Sequence, residues 1–480
     1  MDVQILRNNV SLKKLALNVL CFYGMSYPLA AHFLMSGTPE GTLVIYLFQT
    51  LPILALAYLW KFRRKARSLK SYVDVWTISL LYFTGAAVYF ALFYAEENQY
   101  SELIYSARFL SWFWLAATFR RIELEPSFLE RLAKSFWIGA TSQCVIALWS
   151  ACWGFRNGLA STYSNVEATT GSADVSGKTV VAFVVLGIAL SIYWFLVKRR
   201  LRLVYAASAL AGIAVVLCSY NRASQLGLAV AYCCVLFACA RKKRFKAAGV
   251  LLAMLAAFGA FIGSGYGSRF LTRWETVVFD KGSGRVAMIE IAGKCLADPP
   301  SAGVLWFGRG VYQMKQMMYE EIGTHIGMHN DALDFAIAYG LVGAALCGWT
   351  IYSVLNFRKG APRYALENYF LGATSVFVVL TGLCTGMFQA TYVYFMLISS
   401  QYYFVSQARV KQRVCEEAYG ARILGWNEME WRDEYDDEYA EYDEDDEEAE
   451  EDGAWAKMEE RRLTSGENWL PSCRMTTYFR

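Results

Sequence analysis

The chain has 480 residues, of which 56% are apolar, 16% aromatic and only 18% charged, against about 25% charged in ordinary soluble domains. Residues 428–452 hold 17 Asp or Glu and one Arg, a local net of −16, so the remainder carries +20 of the overall +4. This composition excludes a compact soluble enzyme with one core, and the twelve Cys, most of them inside apolar runs, exclude a disulfide scaffold. A polytopic membrane protein is expected.

A bilayer core takes about 20 mostly apolar residues per helix, because a backbone group left unpaired in hydrocarbon is costly. Twelve such stretches occur, at 15–34, 41–60, 75–94, 103–119, 136–153, 179–197, 203–219, 223–240, 247–263, 332–355, 369–386 and 388–406. Alternate connections are basic: three cations in 7–14, six in 61–70, four in 120–134, four in 198–202, five in 241–246, three in 358–363 and three in 409–413, a total of 28. The intervening short connections hold only Arg156, Lys178 and Arg222. Lys and Arg collect on the cytoplasmic side, so both termini are expected inside. The first stretch, with the poor cleavage site PLAAHF, reads as an uncleaved helix. The expected organisation is therefore an all-α membrane protein, with helices one to nine over 1–263, a long outer segment at 264–331, helices ten to twelve over 332–406, and an acidic tail at 407–480.

Within the outer segment, 285–297 (RVAMIEIAGKCLA) reads as a short helix stopped by Asp298-Pro299-Pro300. VYQMKQMMYEEI at 311–322 reads as a Met-rich amphipathic helix. The tail repels itself and cannot bury a core, so disorder is expected there. Its Asp443-Glu444-Asp445 triplet is what so dense an acidic run produces by composition alone.

Charges inside or beside spans are costly to bury and therefore informative. Arg108 falls in span four and Asp334 in span ten; Arg222 opens span eight, and Arg285 and His329 lie in the outer segment. All five are expected to face one compartment. Arginine's planar fork grips phosphate oxygens by paired hydrogen bonds, and an imidazole accepts a proton near neutrality. Together they describe glycosyl transfer from a lipid diphosphate, with arginines holding the leaving group and histidine activating the acceptor. Arginines at helix ends also serve to snorkel to headgroups. His325 and His329 have the i, i+4 spacing of a zinc pair, but Gly327 between them weakens the helix and no HExxH is present; no metal and no cofactor are expected.

Two patterns resemble those of the O-antigen ligases and the related O-antigen and exopolysaccharide polymerases. Arg222-Ala-Ser-Gln-Leu226 is similar to the ligases' R-x-x-x-L. His329-Asn330, nine residues, then Gly340-Leu-Val-Gly343 is similar to their H-[NSQ]-x9-G-x-x-G. Gly284-Arg285, followed by a helix and FGRG at 307–310, resembles the family's second arginine site. The resemblance is clearest over 203–355. It implies a metal-independent, inverting transfer of polysaccharide from undecaprenyl diphosphate to a lipid A–core hydroxyl, at the periplasmic face of the bacterial inner membrane. In the polymerases the acceptor is a second lipid-linked glycan. Carried onto this chain, Arg222 and Arg285 bind the diphosphate and His329 is the base. Asn330 belongs to the motif but also suits a helix cap. Asp334 is added from its position, to orient His329 or counter an arginine, and Arg108 is a further supporting residue. Gly340 and Gly343 are expected to allow close helix packing. The implied partners are the glycan donor, its acceptor and membrane lipids, with no nucleic acid. The acidic tail departs from the family's pattern. Competing readings are a twelve-helix transporter or flippase, which would show ionisable groups at mid-membrane and repeated halves, and an envelope scaffold acting through the tail.

Overall fold

The computed structural model describes residues 12–27, 50–62, 74–93, 99–122, 124–156, 177–198, 200–219, 222–241, 285–323, 327–356, 365–386 and 391–419, with scattered positions between 249 and 275. Over these residues the chain is helical and contains no strand. Met1–Lys411 form one compact unit and Gln412–Arg480 a second. Of the second, the described part is the end of a helix reaching Tyr419, which runs through the first residues of the expected tail; the tail from 420 on, most of span nine and His325 lie outside the described residues.

The helices are α1 (12–27), α2 (50–59, closed by a 3-10 turn at Trp60–Phe62), α3 (Val75–Phe93), α4 (Gln99–Phe119), α5 (Pro126–Arg156), α6 (Gly177–Val197), α7 (Arg202–Cys218), α8 (Arg222–Arg241), α9 (Arg285–Ala297), α10 (Ala302–Phe307), α11 (Val311–Ile322), α12 (Asp331–Leu355), α13 (Leu366–Thr385) and α14 (Thr391–Tyr419). Four stretches are long and apolar enough to cross a membrane: Val75–Phe93, Val180–Val197, Asp331–Val354 and Leu366–Cys384. The protein is a multi-pass membrane protein. The short helices expected at 285–297 and 311–322 are α9 and α11, and α9 ends at the residue before Asp298.

α6 is apolar on every side, which suits a helix enclosed by others. Val180 to Leu186 are all buried, and α6 packs on α5, α7, α8 and α13. A Cβ at Gly187 would fall 2.6 Å from Ala140 Cβ, so only glycine lets α5 come this close. The basic connections that fall among the described residues gather at one end of the bundle. There Tyr193 donates to Glu367 Oε1 at 2.7 Å and Lys411 Nζ lies 2.9 Å from the same carboxylate. Lys198 and Lys134 pair with Glu130. Asp74 faces Arg120 and Arg121, each at 3.6 Å, and Arg121 also covers the ring of Trp60.

At the opposite end α12 departs from the straight span its composition suggests. Gly340 has φ 67° and ψ −171°, and the helix folds back on itself there. A Cβ at Gly343 would lie 2.3 Å from Tyr339 Cβ and 3.3 Å from the Phe335 carbonyl oxygen; in a straight helix Phe335 and Gly343 would be about 12 Å apart. Cys347 is within electrostatic reach of Asp331 and Asp334, although sixteen residues of straight helix separate Asp331 from Cys347 by about 24 Å. Both legs, through Asp331, Phe335, Cys347, Thr350 and Val354, line one cavity. α12 is thus a helical hairpin with legs 331–339 and 341–355. Gly340 and Gly343 serve this reversal rather than the packing of two separate spans.

The turn is closed by the α10–α11 connection. The reversal frees the carbonyls of Ala338 and Tyr339, which accept from Gly310 N–H at 2.8 Å and Tyr82 Oη–H at 2.9 Å. A Cβ on Gly308 would sit 2.3 Å from the Ala338 oxygen, and one on Gly340 2.3 Å from the Trp306 carbonyl. Glu102 of α4, 1% exposed, accepts from Val311 N–H at 3.1 Å and Tyr312 N–H at 2.6 Å, so it caps α11 and ties it to the bundle. Replacing Gly340 or Gly308 by alanine combines a positive φ with a backbone clash. Each should cost more than about 2 kcal/mol and lower the apparent melting midpoint in detergent by several degrees. Gly348→Ala, with nothing within 4 Å of the new Cβ, should leave it in place. An unshifted midpoint for Gly340→Ala would mean that α12 runs straight.

Candidate functional site

The first leg of α12 carries the expected histidine motif at its start. Asn330 is the N-cap, with φ −148° and ψ 115°; its Oδ1 accepts from Leu333 N–H at 3.1 Å, and its Nδ2 donates to the Leu383 carbonyl at 2.7 Å. One side chain therefore caps α12 and fastens it to the end of α13. Aspartates in a first helical turn also suit the positive end of the helix dipole, and Asp331 and Asp334 occupy that turn.

His329, immediately before the cap, has φ 55°. A left-handed conformation costs a non-glycine residue about 1–2 kcal/mol, so the surroundings must impose it. Asp334, 2% exposed, does so by accepting from Met328 N–H at 2.7 Å. On the other side stands Gly386, the C-cap of α13. A Cβ there would lie 3.0 Å from Asp334 Oδ2, 3.1 Å from His329 Cα and 3.2 Å from Asn330 N. Residues 327–330 are threaded between these two groups. The His329 residue is half-buried, neither sealed in the bundle nor fully in solvent.

Asp331 is 4% exposed and accepts from Tyr394 Oη–H at 3.2 Å. Trp112 of α4 stacks on Tyr394, with ring centroids 4.3 Å apart. These contacts fix the depth of the site. Ser106 of α4 meets Tyr339 at the hairpin turn, hydroxyl to hydroxyl at 3.1 Å, whereas Trp112 lies level with Asp331. The eight residues from Asp331 to Tyr339 span about 12 Å, so the histidine sits that far below the hairpin's tip.

Arg222 belongs to the same end. α6 runs antiparallel to α13, as the Tyr193–Glu367 contact near their opposite termini shows, and Gln225 of α8 donates to the carbonyls of Val216 and Leu217 at the end of α7. α8 therefore starts where α13 finishes. Gly227 abuts Phe377 and Thr381, and Arg222, half-buried, is five residues or about 7.5 Å nearer the His329 end. Arg285 opens α9, which lays Met288 and Ala292 into the protein and packs on α12. Arg108 lies in α4 between the levels of Ser106 and Trp112; its side chain is outside the described residues.

The structure thus joins His329, Asn330 and Asp334 in one tightly bonded turn, with Arg222 on a helix that starts at the same end; Arg285 opens a helix that packs on α12. Sequence reasoning missed Asp331, Tyr394, Gly386 and Glu102. A carboxylate directly after the histidine motif was a usable signal for Asp331, whereas nothing local marks Tyr394 or Gly386. Asp334→Ala removes the acceptor of the Met328 N–H, a loss of about 1–3 kcal/mol for a buried donor left unpaired. Hydrogen exchange over residues 324–334 should accelerate in Asp334→Ala and remain largely protected in Asp334→Asn. Equal exchange in both variants and in the parent would remove the positioning role of Asp334.

Residues 207–348 match the family model described as O-Antigen ligase. The match begins within α7 and takes in α8, α9–α11 and the turn and greater part of both legs of α12. No curated protein matches the chain.

Proposed function

We propose that this chain, a member of the O-antigen ligase family, is an inverting glycosyltransferase that moves polysaccharide from undecaprenyl diphosphate to a hydroxyl of lipid A–core. The reaction takes place at the periplasmic face of the inner membrane, in a twelve-span chain with both termini in the cytoplasm. The observation that carries the reading is the His329 turn: a histidine held in an imposed left-handed conformation by Asp334 and Gly386, at the end where α8, which opens with Arg222, begins. The gathering of the described basic connections at the opposite end supports the orientation.

In the proposed reaction the acceptor hydroxyl gives its proton to His329 as its oxygen attacks the anomeric carbon of the donor. The bond from that carbon to the diphosphate oxygen breaks, the configuration inverts, and the departing lipid diphosphate takes the electron pair. Arg222 and Arg285 bind its oxygens and neutralise the charge that develops. Two guanidinium groups supply the positive charge required, so no metal is needed. Asp334 holds the loop that aims the imidazole, and Asn330 anchors the helix on which it stands.

The test uses the purified full chain in lipid, undecaprenyl-diphosphate-linked glycan, and either lipid A–core or a second lipid-linked glycan, without added metal or ATP. Transfer to lipid A–core is expected. Elongation of the lipid-linked glycan alone would make the protein a polymerase with the same residue roles. His329→Ala should lower turnover about a hundred- to ten-thousand-fold, and Arg222→Ala and Arg285→Ala should abolish transfer while the protein stays inserted. Undiminished transfer by His329→Ala would overturn the assignment of the base.

A further inference from the structure

The FGRG turn places a second kind of arginine in the segment between α8 and α12. Arg309 sits between Gly308 and Gly310, with φ of 83° and 89°, and both glycines are pressed against other groups: Gly308 on the α12 turn, Gly310 on Phe90 and Glu102. The backbone that carries the guanidinium is therefore fixed from both sides. The side chain is half-buried and runs between α9 and α11. Its Nη1 donates to the thioether of Met317 at 3.6 Å, and the thiol of Cys295 donates to the same sulfur at 3.1 Å. Its Nε is buried and makes no hydrogen bond among the described residues.

This is a poor environment for a cation. A guanidinium offers five N–H donors and accepts nothing, and a thioether is a weak acceptor. The buried carboxylate next to the turn does not serve it: Glu102 is occupied by the amides of Val311 and Tyr312, and its charged neighbour is Lys315. Among the described residues, Glu321 also acts on the cluster, through Cys295, and is itself exposed. The amides that open α11 are already bound, so they are not an alternative anion site.

We propose that Arg309 is the centre of an oxyanion subsite between α9 and α11, which binds a phosphate or carboxylate group of a substrate. It is separate from the grip formed at Arg285, because Cys295 lies ten residues along α9, about 15 Å from that helix's start. At the level of the hairpin tip, the subsite stands about 12 Å above His329. That offset suits a charge on the glycan or acceptor rather than the diphosphate at the reacting bond. The subsite rests on the reading above only for the identity of the molecule that carries the anion.

Cys295 provides a local probe that needs no turnover. Burial pushes its thiol up, and the guanidinium of Arg309 pulls it back down. An anion seated on Arg309 cancels that pull, reduces the thiolate and slows alkylation. The full chain in phosphatidylcholine nanodiscs is treated with N-ethylmaleimide at constant ionic strength in chloride, inorganic phosphate or glucuronate. Modification is read on the Cys295 peptide by mass spectrometry, with Cys473 of the tail as the internal reference. Phosphate or glucuronate should slow Cys295 about three- to tenfold without changing Cys473. Arg309→Gln should be slow throughout and indifferent to the anion, while Arg309→Lys keeps part of the response. Slowing seen only in phosphatidylglycerol nanodiscs would assign the same subsite to a lipid headgroup. Parent protein whose Cys295 rate is the same in all of these conditions would overturn the proposal, whether or not the chain transfers glycans.

Discussion

The reversal of α12 at Gly340 is the constraint on which the rest of this end of the molecule depends. Folding a helix back over one residue leaves carbonyls without their normal intrahelical donors, and in a low-dielectric setting each must be satisfied elsewhere. Gly310 and Tyr82 supply the donors, each bond worth about 1 kcal/mol net but costlier to leave unmade. Gly310 can do so because Glu102 holds the start of α11 in place. The α10–α11 connection is therefore part of the hairpin's hydrogen bonding. Loosening it would expose the turn.

The two ends of the bundle use carboxylates differently. At the basic end Glu130, Glu367 and Asp74 each meet Lys or Arg, so charge is cancelled locally and the helix ends are pinned. Such pairs offset their own desolvation more than they add stability. At the other end Glu102, Asp331 and Asp334 accept from neutral donors: amides, a serine and a tyrosine.

Much of this architecture was legible in the residues. The described helices follow the expected apolar stretches, and α9 and α11 fall on the ranges read from caps and periodicity. The hairpin was not legible, for a physical reason. Both of its legs are apolar, and together they have the length of one span, so hydropathy cannot distinguish a crossing from a fold-back. Only Gly340, with a backbone conformation that other residues strain to adopt, marks the break, and in a sequence it looks like any packing glycine. The partners of the site come from far along the chain: Trp112 and Tyr394 meet Asp331 across 219 to 63 residues, with no local pattern to announce them. Glu102 falls just before the apolar stretch at 103–119. Its role exists only because α11 begins beside it.

The spacing in the histidine motif follows from the same geometry. Nine residues separate Asn330 from Gly340, and they are the first leg of the hairpin, about 13 Å of helix. Asn330 fixes the bottom of that leg to α13, and the α10–α11 connection fixes the top at Gly340. With both ends held, one residue more or fewer would change the leg by about 1.5 Å and rotate its faces by about 100°. Asp331 would then leave Tyr394, Phe335 would leave Phe83, and Asp334 would no longer reach Met328. Gly343 adds the closing requirement, since the returning leg passes Tyr339 with no room for a Cβ. The motif is thus a statement of length and direction: a histidine at the foot of a helix of fixed height, and two glycines where the chain turns over and starts down.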